Sequence, residues 1–90
     1  MKWMRVNAII VDIVPRKDGP GKYAVAKLEN GIVTDPPIMG SITFHLNKKA
    51  WQGRMPARRK MRVILEDLFE TEDGWQADKA WPVQLQSVKG

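Results

Sequence analysis

Cysteine is absent from this 90-residue chain, and histidine and tyrosine occur once each. The first absence removes disulfides, thiolate metal sites and cysteine nucleophiles, and with them the disulfide-stapled class of small secreted modules. The single histidine, His45, has no serine or cysteine companion in a nucleophile setting, because the only serines are Ser41 and Ser87; one falls in an expected strand and the other in the tail. Metal-ligand spacing is missing as well. The carboxylates Glu66, Asp67, Glu70, Glu72 and Asp73 lack the loop spacing of a calcium site and read as a solvated hairpin tip. Gly19 and Gly21 are too few and wrongly placed for a phosphate-binding loop. Neither an enzyme nor a bound cofactor is expected.

Long apolar runs are also missing. Ala8-Ile9-Ile10-Val11 is cut short by Asp12, with no small-residue cleavage site behind it. Nothing approaches the roughly 20 apolar residues that cross a bilayer. The expected location is the cytoplasm, without a membrane partner. A chain of this length buries only about 60–65% of its unfolded surface, enough for one thin core and no deep substrate cavity.

Turn punctuation, by contrast, is dense. Residues 15–21 (PRKDGPG), Asn30-Gly31, Asp35-Pro36-Pro37, residues 53–56 and Asp73-Gly74 all mark turns or loops. Short runs rich in Val, Ile, Thr and aromatics lie between them, the pattern of an all-β barrel or sandwich. Residues 4–14 form the first expected strand. It is apolar on both faces near its centre, as suits a strand that bends at a β-bulge to serve two sheets. Residues 22–28 form the second, with Ala24, Ala26 and Leu28 on one face and Tyr23, Val25 and Lys27 on the other. Residues 41–46 form the third and show the cleanest period-two alternation: Ile42, Phe44 and Leu46 inward, Ser41, Thr43 and His45 outward. Asn47 suits the cap of a short helix through residue 52, which Gly53 would end. Strands at 61–69 and 75–83 close the chain, and residues 31–39 are open to reading as a lid or an extra strand.

Three strands, a short helix and a closing hairpin are the order of the five-stranded Greek-key barrel of the oligonucleotide/oligosaccharide-binding (OB) type, with its helix between strands three and four. The barrel is expected over residues 1–84, with residues 85–90 as a flexible tail. An SH3-like barrel or a small sandwich are the alternatives. Trp75 and Trp81 read as barrel caps, Trp51 as a plug of the barrel bottom, and Trp3 as either structural or a contact residue.

The net charge of +5 is unevenly placed: residues 1–62 carry 13 Lys/Arg against 4 Asp/Glu, and residues 63–90 carry 2 against 6. Lys48, Lys49, Arg54, Arg58, Arg59, Lys60 and Arg62 cluster around the expected helix and the loop after it. Such a cluster can neutralise phosphates and release counterions. On the outward face of strands two and three, Tyr23 and His45 could each stack a base, with Lys27 in reach of a phosphate.

Parts of this layout resemble the bacterial cold-shock domains. Ser41-Ile42-Thr43-Phe44-His45-Leu46 is similar to that family's third-strand motif, roughly V-F-V-H-F. Met61-Arg62-Val63-Ile64-Leu65-Glu66 is similar to its K-V-x-F-x-V strand. Asp73-Gly74-Trp75-Gln76-Ala77 resembles the closing G-P-Q-A-x-N-V hairpin, and Lys22-Tyr23-Ala24-Val25-Ala26 stands where the family has K-G-F-G-F-I. The resemblance implies a five-stranded OB barrel that binds single-stranded RNA or DNA. It places His45 on the motif histidine, Thr43 on a motif aromatic, and Tyr23 and Val25 on two stacking positions; only Tyr23 and His45 keep a ring. The loop around Pro36-Pro37 is longer than the family's.

The expected function is single-stranded RNA or DNA binding without strong sequence preference. Tyr23 and His45 would stack, while Lys22, Lys27, Lys48, Arg58, Arg59 and Lys60 would meet phosphates. The competing expectation is a protein-interaction or scaffold barrel, a subunit of a larger assembly or a homo-oligomer, with Trp51 or Trp3 as an interface anchor.

Overall fold

Alternating small and branched side chains set the first element. In β1 (Val6–Pro15), Val6, Ala8 and Ile10 are buried, and the register against the next strand shifts between Ile10 and Asp12. That irregularity bends the strand. Residues 6–9 pair with β4 while residues 8–15 pair with β2, both antiparallel. The computed structural model describes residues 5–17, 19–29, 34, 37, 38 and 40–83, so the expected tail, Trp3 and most of residues 31–39 lie outside the described residues.

The remaining strands are β2 (Lys22–Leu28), β3 (Ile42–His45), β4 (Arg62–Thr71) and β5 (Gly74–Pro82). They close into an all-β barrel of order β1-β2-β3-β5-β4. The β3–β5 contact is the one parallel pairing among these strands, with Ile42 beside Trp75 and Thr43 beside Gln76. Closure leaves no open sheet edge along these contacts. The interior mixes sizes: Phe44, Ile10, Ile42, Leu65, Leu68 and Val63 fill it, while Ala24, Ala26, Ala77 and Ala80 give them room. Alternating large and small side chains is how a narrow barrel is filled. No polar side chain is buried among the described residues.

The β4–β5 hairpin changes its inward phase midway. Val63 and Leu65 point in, then Leu68; opposite them, Ala80 points in, then Ala77. Each strand steps two residues outside before returning. Asp67 makes the step on β4 with a φ of 55°, a left-handed conformation that aspartate tolerates better than most residues.

The short helix expected between strands three and four is not formed. Asn47 does act as a cap, its Oδ1 accepting from the amides of Lys49 at 3.0 Å and Ala50 at 2.8 Å. Trp51 N–H donates to the Asn47 carbonyl at 2.9 Å, and the turn ends there. The next amide, that of Gln52, donates to Ala80 O at 2.9 Å, while Ala80 N–H donates to Ala50 O at 2.8 Å. One turn of helix is unfavourable alone, and pairing with β5 takes the backbone groups that would have extended it. Trp51 then stacks on Phe44, with ring centroids 6.1 Å apart and planes 14° from parallel. Its Nε1–H donates to Met55 O at 2.9 Å. A methyl at Gly53 would lie 2.7 Å from the Trp51 ring, so glycine is required for this approach.

Residues 58–61 form a tight turn in which Met61 N–H donates to Arg58 O at 3.2 Å. Lys60 occupies its third position with a φ of 71°, a place that favours glycine. Lys60 N–H donates to Ile10 O at 2.7 Å and Ile10 N–H to Met61 O at 2.9 Å. Two residues thus face one, as in a bulge opened by a left-handed residue.

On the outer surface Arg5 Nε lies 2.8 Å from Glu66 Oε2, and Trp81 Nε1–H donates to Glu66 Oε1 at 3.1 Å. Trp81 therefore lies on the outside rather than capping the barrel as expected, with 40% of its surface exposed. The indole hydrogen bond first, and the Arg5 hydrogen bond second, hold the Glu66 carboxyl below its ordinary value. A second pair joins Arg62 Nε to Glu29 Oε2 at 3.0 Å, and the Glu29 hydrogen bond raises the Arg62 guanidinium further above its usual range.

Three outcomes follow from this packing. Phe44→Ala should lower unfolding stability by about 3–5 kcal/mol in urea titration, because it empties the core and removes the support of Trp51. Lys60→Gly should raise it by roughly 0.5–1 kcal/mol, the relief of a left-handed lysine less the entropy that glycine adds to the unfolded chain. Glu66 is depressed in the folded state, so its stabilisation is present above the ordinary carboxylate value of 4.5 and disappears as pH falls through the lower folded value. Thermal melts of Glu66→Gln should accordingly show a shallower loss of stability on acidification below that value than the parent protein shows.

Candidate nucleic-acid interface

One groove of about 590 Å³ opens on the barrel wall. Arg16 and Lys17 of the β1–β2 loop, Tyr23 of β2, and Thr43 and His45 of β3 line it. Thr71, Asp73 and Gly74 of the β4–β5 turn and Trp75 and Gln76 of β5 complete the wall, with Phe44 beneath.

Period-two alternation explains why these side chains meet. Ala24 and Phe44 are buried register partners, so their neighbours Tyr23 and His45 must point outward, and those two are themselves opposite one another. Directly opposed residues on antiparallel strands have Cβ atoms about 4.5–5.5 Å apart. Tyr23 is half-buried and His45 exposed, which leaves ring surface open to the groove. Thr43 stands between Val25 on β2 and Gln76 on β5. Trp75 is half-buried against the core while also lining the groove. At one end, Leu46 N–H donates to Lys22 O at 3.0 Å, carrying the β2–β3 ladder one step past His45. At the other, Thr71 Oγ1 donates to Gly74 O at 2.8 Å and accepts from Asp73 N–H at 3.2 Å, which pins the turn. Gly74 has a φ of 122°, a conformation closed to residues with a Cβ.

Of the residues singled out in the sequence, Tyr23 and His45 line this groove. Lys22 is exposed next to Tyr23 at its end, and Lys48 follows His45 by three residues. Lys27 is exposed on β2 opposite Ile9 of β1. Arg58, Arg59 and Lys60 are exposed on the turn that hangs from Ile10. Lys22, Lys27, Lys48, Arg58, Arg59 and Lys60 are not among the groove-lining residues. The cations that do line it, Arg16 and Lys17, belong to a segment read only as turn punctuation. The signal for them was present, since two adjacent cations stand on the loop that joins the first two strands of the barrel.

Electrostatically the surface is divided. Sequence positions 36–65 contain no acid at all, and no carboxylate among the described residues pairs with Lys48, Lys49, Arg54, Arg58, Arg59 or Lys60. Arg5 and Arg62, on the strand side, are paired. No group of three or more His, Asp or Glu side chains gathers among the described residues in a way that would hold a metal ion. What the groove offers instead is flat ring surface, hydrogen-bonding side chains and two cations. No protein-family model, curated protein or solved structure matches this chain.

Proposed function

We propose that this chain is a non-catalytic, cytoplasmic OB-type module that binds single-stranded RNA or DNA in the groove over β2 and β3. The observation that carries the reading is the pairing of Tyr23 with His45 across β2 and β3, both in the groove, with Arg16 and Lys17 at its rim. Barrels of the OB type present ligands to the face of strands two and three between the β1–β2 and β4–β5 loops, and those are the elements that build this groove. The strand order β1-β2-β3-β5-β4 with its parallel β3–β5 contact supports the same assignment. So does the cold-shock-like sequence of β3.

Single strands suit this chemistry because their bases are free to lie on side-chain rings, whereas a duplex hides those faces. Two rings in place of a wider platform imply modest affinity. Phosphates would meet Arg16 and Lys17 first, then Lys22 and Lys48 at the Tyr23/His45 end, with Lys27, Arg58, Arg59 and Lys60 reached by longer strands. A protein partner or a second copy of this chain is the competing reading. Trp51 is a poor anchor for one, being stacked on Phe44 and bonded to Met55; Trp81, exposed on the outer face, is the better candidate.

Titration of a fluorescent oligothymidylate at several salt concentrations tests the proposal. Tyr23→Ala and His45→Ala should each weaken binding by about 1–3 kcal/mol. Arg16→Ala and Lys17→Ala should each flatten the slope of log affinity against log salt by about 0.7. Absence of binding at low salt, with a defined oligomer in solution, would overturn this reading in favour of protein association.

A further inference from the structure

A carboxylate stands where a polyanion is supposed to bind. Asp73 lines the groove; its backbone is pinned by the turn through Thr71 and Gly74, and its side chain is exposed at the groove's edge. Among the described residues no ion pair or hydrogen bond engages that carboxylate, and none engages the side chains of Gln76 and Thr43, register partners that line the same groove. A phosphate has only acceptor oxygens and is repelled by such a group. A ligand group that presents donors is therefore favoured opposite Asp73 over one that presents only acceptors.

We infer that the groove selects guanine over the other bases, with the Asp73 carboxylate accepting the guanine N1–H and N2–H together. This rests on the single-strand reading above. Guanine is the one standard base whose Watson–Crick edge carries two adjacent N–H donors at a spacing that matches the two oxygens of a carboxylate. Adenine and cytosine offer one amino group next to an acceptor nitrogen, which the carboxylate repels. Thymine and uracil offer a single N3–H between two carbonyls, which it repels as well. Stacking on Tyr23 and His45 is tolerant of base identity, so discrimination falls to the edge contacts. Gln76, which also lines the groove, carries both a donor and an acceptor and so favours no base by itself. A well-placed bidentate contact discriminates by roughly 5- to 100-fold.

The experiment uses heptathymidylate with its central residue replaced in turn by guanosine, adenosine, cytidine, inosine and 7-deazaguanosine, all as deoxynucleotides, with affinity read by fluorescence anisotropy at one low salt concentration. The guanosine heptamer should bind about tenfold more tightly than the all-thymidine one. Inosine, which lacks the N2 amine, should lose most of that gain, and 7-deazaguanosine, which keeps both donors, should retain it. Asp73→Asn keeps the turn chemistry and should reduce the preference, read as the guanosine-to-thymidine affinity ratio within that variant, to less than about threefold. Equal binding of all heptamers, or a preference that survives Asp73→Asn, overturns the guanine assignment and leaves single-strand binding standing. If no heptamer binds, both fall.

Discussion

Two register pairs close the barrel. Ile42 beside Trp75 and Thr43 beside Gln76 are the parallel contacts that join β3 to β5, and β3 is only four residues long. Each of its residues serves one of two ends. Ile42 and Phe44 go into the core at 0% and 1% exposure, while Thr43 and His45 go into the groove. The same contact puts Gln76 next to Thr43 and brings the β4–β5 turn to the side of the β2–β3 face. Without closure there would be a β2–β3 hairpin with two rings on it, but no opposing wall. Phe44 ties the two ends together, since it fills the core, supports Trp51 through ring stacking and underlies the groove.

The segment that follows β3 shows tertiary pairing overriding local preference. Its polar and alanine-containing sequence favours helix, and Asn47 supplies the start signal, yet hydrogen bonds to Ala80 convert the chain after one turn. Sheet pairing wins because it satisfies buried backbone groups of both partners, whereas further helix would leave Ala80 N–H and C=O unmatched in the barrel wall. At the far end of the same segment Lys60 accepts a left-handed φ so that its amide can reach Ile10. Those bonds seal the side of β1 that β4 leaves after Ile9. The strain at Lys60 has a structural reason in that seal, independent of any ligand.

What the sequence disclosed and what it withheld divide along the same physical line. Strands were legible wherever one face is buried, because alternation with period two is then enforced; β2 is read with its bounds intact and the irregularity in β1 falls near the centre of its two-faced apolar run. Tyr23 and His45 were legible as outward residues for that reason. Neighbourhood across the barrel was not. The positions of Arg16, Lys17, Asp73 and Gln76 along the chain do not announce that two separate turns and β5 share one groove, since that depends on the β3–β5 closure. Nor did a tryptophan's size reveal its side of the wall: Trp75 turns toward the core and Trp81 away from it, where Glu66 and Arg5 satisfy its indole surroundings.

The charge division along the chain has a counterpart inside the groove. Cations stand on the β1–β2 loop and an acid on the β4–β5 turn, both lining the same space. Under the proposed function this sets the orientation of a bound strand. Its phosphates are drawn to the Arg16/Lys17 side and its base edges turn toward Asp73, with the ring faces of Tyr23 and His45 between. Salt weakens the two halves unequally. Phosphate contacts at an exposed loop release counterions and fade as salt rises, whereas a contact between a carboxylate and a neutral base displaces no condensed counterion. Raising the salt should therefore reduce affinity while sharpening, in relative terms, whatever discrimination the base edge provides. A basic groove of one sign throughout would bind more tightly but would hold the backbone against both walls, leaving no side on which a base is read.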